Sequence, residues 1–224
     1  MAFRIDVLPF LLYSLVFGAL VFAVFRMARA PRTVAFRWSG LVTVLLMGYM
    51  LYFFRDPERQ VPADPAAFVA GAEGTVMSVT DVVEPLFLKT NAVRISIFLS
   101  LIDVHVNRSP IEGTVEFAKY YPGARYFTFE EKSSDLNQHS SIFIRGRQTS
   151  CLVNQIVGPV ARRVVFWLVP GQNLKKGERI GMMKFGSRLD MYFPRTDVEV
   201  TVKKGDKVRV GETIVARVRQ KDQP

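Results

Sequence analysis

Gly186 and Ser187 form the one Gly-Ser pair of this 224-residue chain, between an apolar run and an Arg-Leu-Asp triplet. Glycine weakens a strand and commonly marks a bulge or a tight bend. A serine hydroxyl behind a glycine could instead attack the carbonyl group that precedes it, because glycine has no side chain to block the approach. The pair therefore indicates either a bend or a point at which the chain cleaves itself.

A second group of reactive side chains follows the apolar stretch that begins at residue 98, in the order Asp103, His105 and Asn107. In an extended segment, residues two apart share a face, so these three side chains are expected to point the same way. An acid beside a histidine can orient the ring and stabilise its charged form, as general acid–base catalysis requires. The alternative is a purely structural histidine that bonds a neighbouring acid at the end of a strand.

Composition limits the other kinds of site. The single cysteine, Cys151, excludes an intramolecular disulfide, and only two histidines are present, so no metal centre is expected. The formal charge of +10 indicates an anionic partner, either nucleic acid or acidic lipid. The two apolar runs within the first 54 residues favour lipid, and no nucleic-acid partner is expected.

Residues 1–54 are interpreted as a hydrophobic hairpin that anchors the chain in a membrane. Two runs without any charge, Leu8–Phe25 and Ser39–Phe54, supply its arms. At ~1.5 Å per residue they reach roughly 24–27 Å, slightly less than the ~30 Å of a hydrocarbon core. They could span the bilayer or enter one leaflet and return.

The connector between the two runs, residues 26–37, holds four arginines and no acid, which places it in the cytoplasm by the positive-inside rule. A spanning hairpin would then put residues 55–224 outside, whereas a re-entrant hairpin keeps them inside. The sequence leaves both arrangements open. Our expectation is the inner cell membrane, with the following domain on the cytoplasmic side.

Residues 55–67 contain several prolines and are interpreted as a linker. Residues 68–224 are interpreted as a mostly β domain, because short β-rich runs at 74–80, 91–101, 113–121, 140–146 and 161–169 alternate with glycine turns. The predicted class is therefore α+β, dominated by strands: a helical hairpin followed by a β-sandwich or flattened barrel. Two Lys-Lys-Gly segments, at 174–183 and 202–214, resemble the hairpins of lipoyl domains, with 71–79 as a complementary strand pair. Residues 128–140 are polar and predict a long loop or a short helix.

Five stretches together resemble the phosphatidylserine decarboxylase family, in its short prokaryotic proenzyme form. The resemblance runs from about Phe53 to the C-terminus, in the order expected for the family. The stretches are FFRDPER, DVHVNRSP, YYPG, VARRVV and GERIGMMKFGSRLDMYFP.

The resemblance implies that the chain is a proenzyme that cleaves itself between Gly186 and Ser187. The Ser187 hydroxyl would turn the preceding amide into an ester, and elimination and hydrolysis would convert Ser187 into a covalent pyruvoyl group. The products would be a large chain, 1–186, and a small chain, 187–224, which stay together as a heterodimer through sheet pairing. The family chemistry uses the pyruvoyl group as an electron sink, through a Schiff base to the substrate amine.

The same resemblance implies roles for five further residues in the decarboxylation of phosphatidylserine to phosphatidylethanolamine. His105 would return a proton to the substrate, Asp103 would orient His105, and Glu73 would assist self-cleavage. Arg162 and Arg163 could contact the lipid phosphate, although a solvated charge pair beside a strand explains them equally well.

Two positions depart from the pattern of the family. Arg108 stands where longer members carry a second histidine, and Glu73 stands where an aspartate is usual. Glu73 keeps the carboxylate on a longer arm, and we expect it still to serve. Two alternatives remain open: the same chemistry on another serine-bearing lipid, such as an ether lipid, and a non-enzymatic, membrane-tethered β domain of lipoyl type.

Overall fold

A computed structural model describes residues 2–124, 126–128, 137–158 and 164–219. The chain divides into two compact units, Met1–Glu58 and Arg59–Pro224.

The first unit is a pair of helices, α1 (Leu8–Met27) and α2 (Arg32–Phe53), preceded by a short 3-10 turn at Ile5–Val7. Two short strands, β1 (Ala2–Phe3) and β2 (Arg55–Asp56), pair antiparallel and so hold the beginning and the end of this unit together. Gly18 lets the helices touch, because a Cβ atom there would lie 1.8 Å from the hydroxyl oxygen of Thr43.

Both helices are long and apolar enough to cross a membrane. They contain 20 and 22 residues, which at ~1.5 Å per residue gives roughly 30 and 33 Å. The helices are longer than the charge-free runs predict, because α1 includes Arg26 and α2 includes Arg32 and Arg37. Arginine stems can lie along an apolar surface while their charged heads reach water, so a helix can extend past its charge-free portion.

The second unit is built almost entirely from strands, which confirms the predicted mostly β class. They are β3 (Ala67–Val69), β4 (Gly74–Glu84), β5 (Thr90–Leu99), β6 (Val106–Arg108), β7 (Gly113–Tyr121), β8 (His139–Arg145), β9 (Ser150–Val157), β10 (Val164–Phe166), β11 (Asn173–Leu174), β12 (Arg179–Met183), β13 (Ser187–Pro194), β14 (Val198–Val200), β15 (Lys207–Val208) and β16 (Ile214–Val218).

Eight of these strands form one sheet that curls into a half-barrel, in the order β11-β7-β8-β9-β13-β5-β4-β15. Two three-stranded sheets, β10-β12-β6 and β14-β16-β3, accompany it. The main core contains side chains from all three sheets, including Phe68 of β3 and Phe193 of β13, whose rings stack 5.6 Å apart. Burial on this scale supplies the main driving force for folding.

Strand β13 lies in the middle of the large sheet, paired antiparallel with β5 on one side and β9 on the other. Seven of its eight residues are buried, so both of its faces are covered. The sequence analysis did not identify β9 or β13 as strands. Their polar residues interrupt the hydrophobic pattern that marks a buried strand.

The two Lys-Lys-Gly segments turn at Gly177 and Gly205, both of which have positive φ. Their flanking strands pair outside each segment: β12 pairs with β10 and β6, and β15 pairs with β4. Residues 71–79 do not form the expected strand pair: residues 74–79 belong to the single strand β4, which pairs with β15 of the second segment. In the predicted polar segment 128–140, His139 and Ser140 already belong to β8, and residues 129–136 lie outside the described residues.

Candidate functional site

Ser187 opens strand β13 and is completely buried. Its Cα atom lies opposite Leu99, the last residue of β5, and opposite Val157, the last residue of β9. The Oγ atom is buried, with no hydrogen-bond partner among the described residues. An unsatisfied buried hydroxyl costs ~1–3 kcal/mol, and its presence calls for a functional explanation.

The two residues before Ser187 have left-handed backbone conformations, with φ of 61° at Phe185 and 65° at Gly186. Glycine adopts this region freely, whereas a bulky residue such as Phe185 is an outlier there. Such strain, of order 1–3 kcal/mol, is commonly found at functional sites. A side chain at Gly186 would meet open space, because no atom lies within 4 Å of its Cβ position. The Gly-Ser pair is therefore a bend leading into a strand, and it has free space beside it.

Arg188 and Asp190 hold the beginning of β13 in place. The Nε atom of Arg188 donates to Oδ1 of Asp190 over 2.7 Å, and its terminal nitrogen donates to Oγ of Ser96 over 2.9 Å. All three side chains are buried. Within a sheet, residues two apart share a face, so Arg188 and Asp190 point away from the face that carries Ser187. The pair fixes the strand without occupying the side on which Ser187 lies.

His105 is completely buried, at the end of a turn that connects β5 to β6. The extended segment expected from Asp103 to Asn107 is wrong in its first half, because β6 begins only at Val106. The Asp103 carboxylate accepts hydrogen bonds from the backbone N–H (2.8 Å) and hydroxyl (2.5 Å) of Ser100. The Nδ1 atom of His105 lies instead 2.9 Å from the backbone carbonyl oxygen of Asp103. Asp103 thus meets the histidine through its backbone, while its carboxylate closes the turn.

Glu73 lies directly beside this turn. Its Oε1 accepts a hydrogen bond from the backbone N–H of Val104 over 3.4 Å, and its Oε2 lies 2.5 Å from the guanidinium of Arg59. The side chains of Arg59 and Glu73 are 8% and 17% exposed, so the ion pair is shielded from water. The carboxylate is therefore held against the residue that precedes His105.

A chain of amides and hydroxyls lines the same end of the domain. Ser140 Oγ donates to Oε1 of Gln155 over 2.7 Å, and Nε2 of Gln155 donates to Oδ1 of Asn107 over 2.7 Å. Gln155 lies opposite Leu189, two residues from Ser187 and on its face of the sheet. The Nδ2 atom of Asn107 is buried without a hydrogen-bond partner among the described residues. It is a donor available to a ligand.

The structure brings Ser187, His105 and Glu73 to one end of the large sheet. The turn that carries His105 follows Leu99, the partner of Ser187, and the backbone carbonyl of His105 accepts a hydrogen bond from the N–H of Met183 over 3.2 Å. Arg108 donates to the backbone carbonyl of Gly177 over 3.0 Å. The other two predicted residues, Arg162 and Arg163, lie outside the described residues.

A cavity of about 1010 Å³ lies elsewhere, between Arg145, Gly146 and Thr149 at the far end of β8 and β9. Ser187 is beside Val157 at the opposite end of β9, so this cavity is separate from the candidate site.

Several residues that support the site were not identified in the sequence: Arg59, Ser96, Ser100, Gln155, Arg188 and Asp190. The signal for Arg188 and Asp190 was their two-residue spacing within an otherwise apolar run, which places both on one face of a strand. No local pattern links Arg59 to Glu73 or Gln155 to Asn107, because these contacts join distant parts of the chain.

The chain is similar in sequence to known proteins over most of its length. The sequence model of a family described as phosphatidylserine decarboxylase matches residues 46–216. A phosphatidylserine decarboxylase proenzyme of Carboxydothermus hydrogenoformans is 44% identical over 182 residues, covering 81% of this chain and 85% of that protein. Proteins of the same name from Salinibacter ruber and Desulfotalea psychrophila are 43% and 39% identical, over 82% and 79% of this chain and 83% of each relative.

Proposed function

The chain belongs to the phosphatidylserine decarboxylase family, and we propose that it is a proenzyme that cleaves itself at Gly186–Ser187 to become a pyruvoyl-dependent enzyme. The mature enzyme decarboxylates phosphatidylserine to phosphatidylethanolamine. The observation that carries the proposal is the buried Ser187 hydroxyl, which has no hydrogen-bond partner among the described residues and follows two residues of left-handed backbone.

Self-cleavage begins when the Ser187 Oγ attacks the carbonyl carbon of Gly186. The Gly186–Ser187 C–N bond breaks, an ester forms, and the Ser187 nitrogen takes up a proton. Removal of the Ser187 Cα proton then expels the Gly186 carboxylate and leaves a dehydroalanine. Water hydrolyses this residue, ammonia leaves, and a pyruvoyl group remains at position 187.

Glu73 is the proposed base that takes the hydroxyl proton of Ser187. Arg59 and the N–H of Val104 fix its carboxylate at the same end of the sheet as Ser187. Fixed placement of a base is a large part of its catalytic effect, because misplacement by ~1 Å can cost ~10²-fold in rate. The longer glutamate arm is accommodated by these two contacts.

The residues around Ser187 fit the pyruvoyl group. Its position is buried, and the neighbouring Gly186 has open space beside it. When present, the group supplies the electron sink that no protein side chain offers. The pairing of β13 with β5 and β9 beyond position 187 does not involve the Ser187 hydroxyl. The strand can therefore stay in the sheet after Ser187 becomes a pyruvoyl group.

His105 is the proposed donor of the proton that replaces the lost carboxylate on the substrate. Its Nδ1 faces the Asp103 carbonyl oxygen, which favours the tautomer with hydrogen on Nδ1. Nε2 is then the nitrogen that exchanges a proton with the substrate. The Nδ2 donor of Asn107 would bind an anionic or carbonyl oxygen of the headgroup, and Arg162 and Arg163 remain our candidates for the phosphate.

The two products of cleavage are proposed to remain one molecule. The small chain, 187–224, would contain β13 to β16, and the large chain, 1–186, would contain their partners β3, β4, β5 and β9. Strand β13 pairs along both edges, so leaving the sheet would expose its backbone and side chains together. We propose a hairpin anchor at 1–54, a linker at 55–67 and a catalytic domain at 68–224.

The two apolar helices support a membrane location, which suits a phospholipid substrate. We propose the inner cell membrane, with the catalytic domain on the cytoplasmic side. Because the arginine-rich connector belongs in the cytoplasm, this placement requires the two helices to enter one leaflet and return rather than span the bilayer.

The first test is the intact mass of the purified chain, before and after treatment with a carbonyl-reactive amine. We expect a fragment 187–224 that has lost the serine amine and that gains mass with the reagent. A Ser187→Ala variant is the matched control and should stay uncut. A wild-type chain that is still uncut when it is purified from membranes would overturn the proposal and favour a non-enzymatic β domain. Extracted lipids then separate phosphatidylserine from a serine-bearing ether lipid.

A further inference from the structure

Two loops flank the Gly186–Ser187 bond, one at the end of each strand beside β13. The first follows Leu99 at the end of β5, and the second is held against Val157 at the end of β9. Each loop carries two large apolar side chains at its surface, Leu101 and Ile102 on the first, Tyr126 and Phe127 on the second.

The first loop is a tight turn. The N–H of Asp103 donates to the carbonyl oxygen of Ser100 over 3.0 Å, and the Asp103 carboxylate binds Ser100 in return. Leu101 and Ile102 occupy the tip of the turn and are 49% and 64% exposed. Because both ends of the turn are fixed, the two side chains are held outward.

The second loop is held by the buried side chain of Asn137. Its Oδ1 accepts the N–H of Tyr126 over 2.8 Å, and its Nδ2 donates to the carbonyl oxygens of Tyr126 (2.7 Å) and Val157 (3.0 Å). A Cβ atom at Gly158 would lie 3.5 Å from the carbonyl oxygens of both Tyr126 and Gly186, which brings this loop next to the scissile bond. Tyr126 and Phe127 are 39% and 55% exposed.

We propose that these four side chains, here called the apolar rim, dock the catalytic domain onto the surface of a lipid bilayer and deliver the substrate headgroup to Ser187. The inference rests on the proposed function. A phospholipid has to bring its serine to a buried group while its acyl chains remain in an apolar medium. An apolar rim on either side of that group provides contact with this medium.

The size of the rim favours a bilayer over a second protein. A large side chain buries ~150–250 Å² when fully covered, so four half-exposed ones offer roughly 400 Å². A stable protein interface needs about 800 Å² from each partner. A bilayer has no such minimum area, because each apolar side chain that inserts contributes to binding independently. The same chain also carries two helices that are long and apolar enough to cross a membrane.

The protein offers a direct test by fluorescence. Cys151 is the single cysteine and is completely buried, so a cysteine placed at the surface can be labelled alone. Ile102→Cys and Phe127→Cys are each made in the full chain, labelled with an environment-sensitive fluorophore and reconstituted into phosphatidylcholine vesicles with brominated acyl chains. The matched control is Leu86→Cys, which is 72% exposed in the turn between β4 and β5, at the other end of β5 from Leu99.

We expect the brominated lipid to quench the labels at 102 and 127 at least threefold more than the label at 86. Equal quenching at all three sites, or none at 102 and 127, would overturn the proposal. Labels that are shielded from water yet escape the lipid quencher would show that a second protein copy covers the rim, which also overturns it.

Failure of the proposed function would look different, because quenching does not depend on cleavage or activity and can be read in a chain that remains uncut. In the cleaved enzyme, Ile102→Ser with Phe127→Ser should lower the rate on phosphatidylserine in vesicles about tenfold. The rate on a short-chain phosphatidylserine dispersed in detergent should change less than twofold. Equal losses on both substrates would contradict delivery from a bilayer.

Discussion

The guanidinium of Arg59 lies 2.5 Å from the carboxylate of Glu73, and that carboxylate also accepts the backbone N–H of Val104. Through Glu73, Arg59, the first residue of the second compact unit, is connected to the turn that carries His105. In the proposed mechanism these two partners fix the longer arm of Glu73, which stands where the family pattern has an aspartate.

Removing the Glu73 carboxylate should stop self-cleavage. Glu73→Gln keeps the size of the side chain but loses the base, and we expect the cleavage rate to fall by about 10²- to 10⁴-fold. The fraction of cut chain against time, read on a denaturing gel, measures it. A Glu73→Gln chain that cuts at the wild-type rate would remove Glu73 from the mechanism.

Arg59 should act through the position of Glu73. Arg59→Ala frees the carboxylate to move by ~1 Å or more, and a loss of up to ~10²-fold in the cleavage rate is expected. Arg59→Lys should recover part of it, since it restores a charge but not the planar fork of donors. The matched control is Arg145→Ala, which breaks an exposed pair with Glu116 and should leave cleavage unchanged.

Gly186 and Gly74 should respond differently to the same substitution. Both have positive φ, but a Cβ at Gly186 meets nothing within 4 Å, whereas one at Gly74 would lie 2.0 Å from the Phe98 carbonyl oxygen. Gly186→Ala should cost about 1–2 kcal/mol of strain and leave the domain folded. Gly74→Ala should prevent correct pairing of β4 with β5. Thermal unfolding in a Ser187→Ala background compares the two, and equal melting temperatures would contradict this.

The buried ion pair at the start of β13 should contribute far more to the free energy of unfolding than an exposed ion pair does. Asp190→Ala leaves the Arg188 guanidinium without its carboxylate in a covered sheet, and a loss of about 3–5 kcal/mol in unfolding free energy is expected. Glu116→Ala breaks the exposed pair with Arg145 and should cost less than about 1 kcal/mol. Denaturant unfolding of both variants tests the difference. Similar losses of unfolding free energy in the two variants would mean that the buried pair stabilises the fold no more than the exposed pair does.

Much of this architecture could be predicted from local patterns. Glycine turns and short β-rich runs indicated β4, β5, β7, β8 and β10, and the charge-free runs indicated both helices. Strand β13 was missed because its Gly-Ser start and its Arg188 and Asp190 look polar. Only the neighbouring strands, which supply Ser96 as a partner, make such residues suitable for a buried position.

The candidate site can be proposed from the sequence where its residues stand in short motifs, whereas its long-range contacts cannot be predicted from the sequence. Gly186, Ser187 and His105 stand within short motifs. The prediction that the Asp103 carboxylate orients His105 depends on an extended backbone between them. The turn at Ser100 instead brings the Asp103 carbonyl to the ring, and such a turn depends on a side-chain hydrogen bond that spacing alone does not reveal.

Burial should make Cys151 unreactive in the folded protein. Desolvation raises the pKa of its thiol far above the usual range, so almost none of it is the nucleophilic thiolate at neutral pH. Alkylation at pH 8 should therefore be at least ~10²-fold slower than in the unfolded chain, as followed by mass spectrometry. Labelling of Cys151 in the folded chain at the rate of an exposed thiol would contradict its buried position.

Substitution of His105 should separate self-cleavage from decarboxylation, and substitution of His139 should affect neither. His105→Ala removes the proposed proton donor to the substrate, so the chain should still cleave, because Glu73 serves as the base, while carbon dioxide release should fall by about 10²- to 10⁴-fold. His139→Ala is the matched control: its ring stacks on Tyr121 at 5.1 Å, and both cleavage and decarboxylation should persist. An uncut His105→Ala chain that is still folded would move His105 into the self-cleavage step. In that case Glu73 would only hold the turn that carries it.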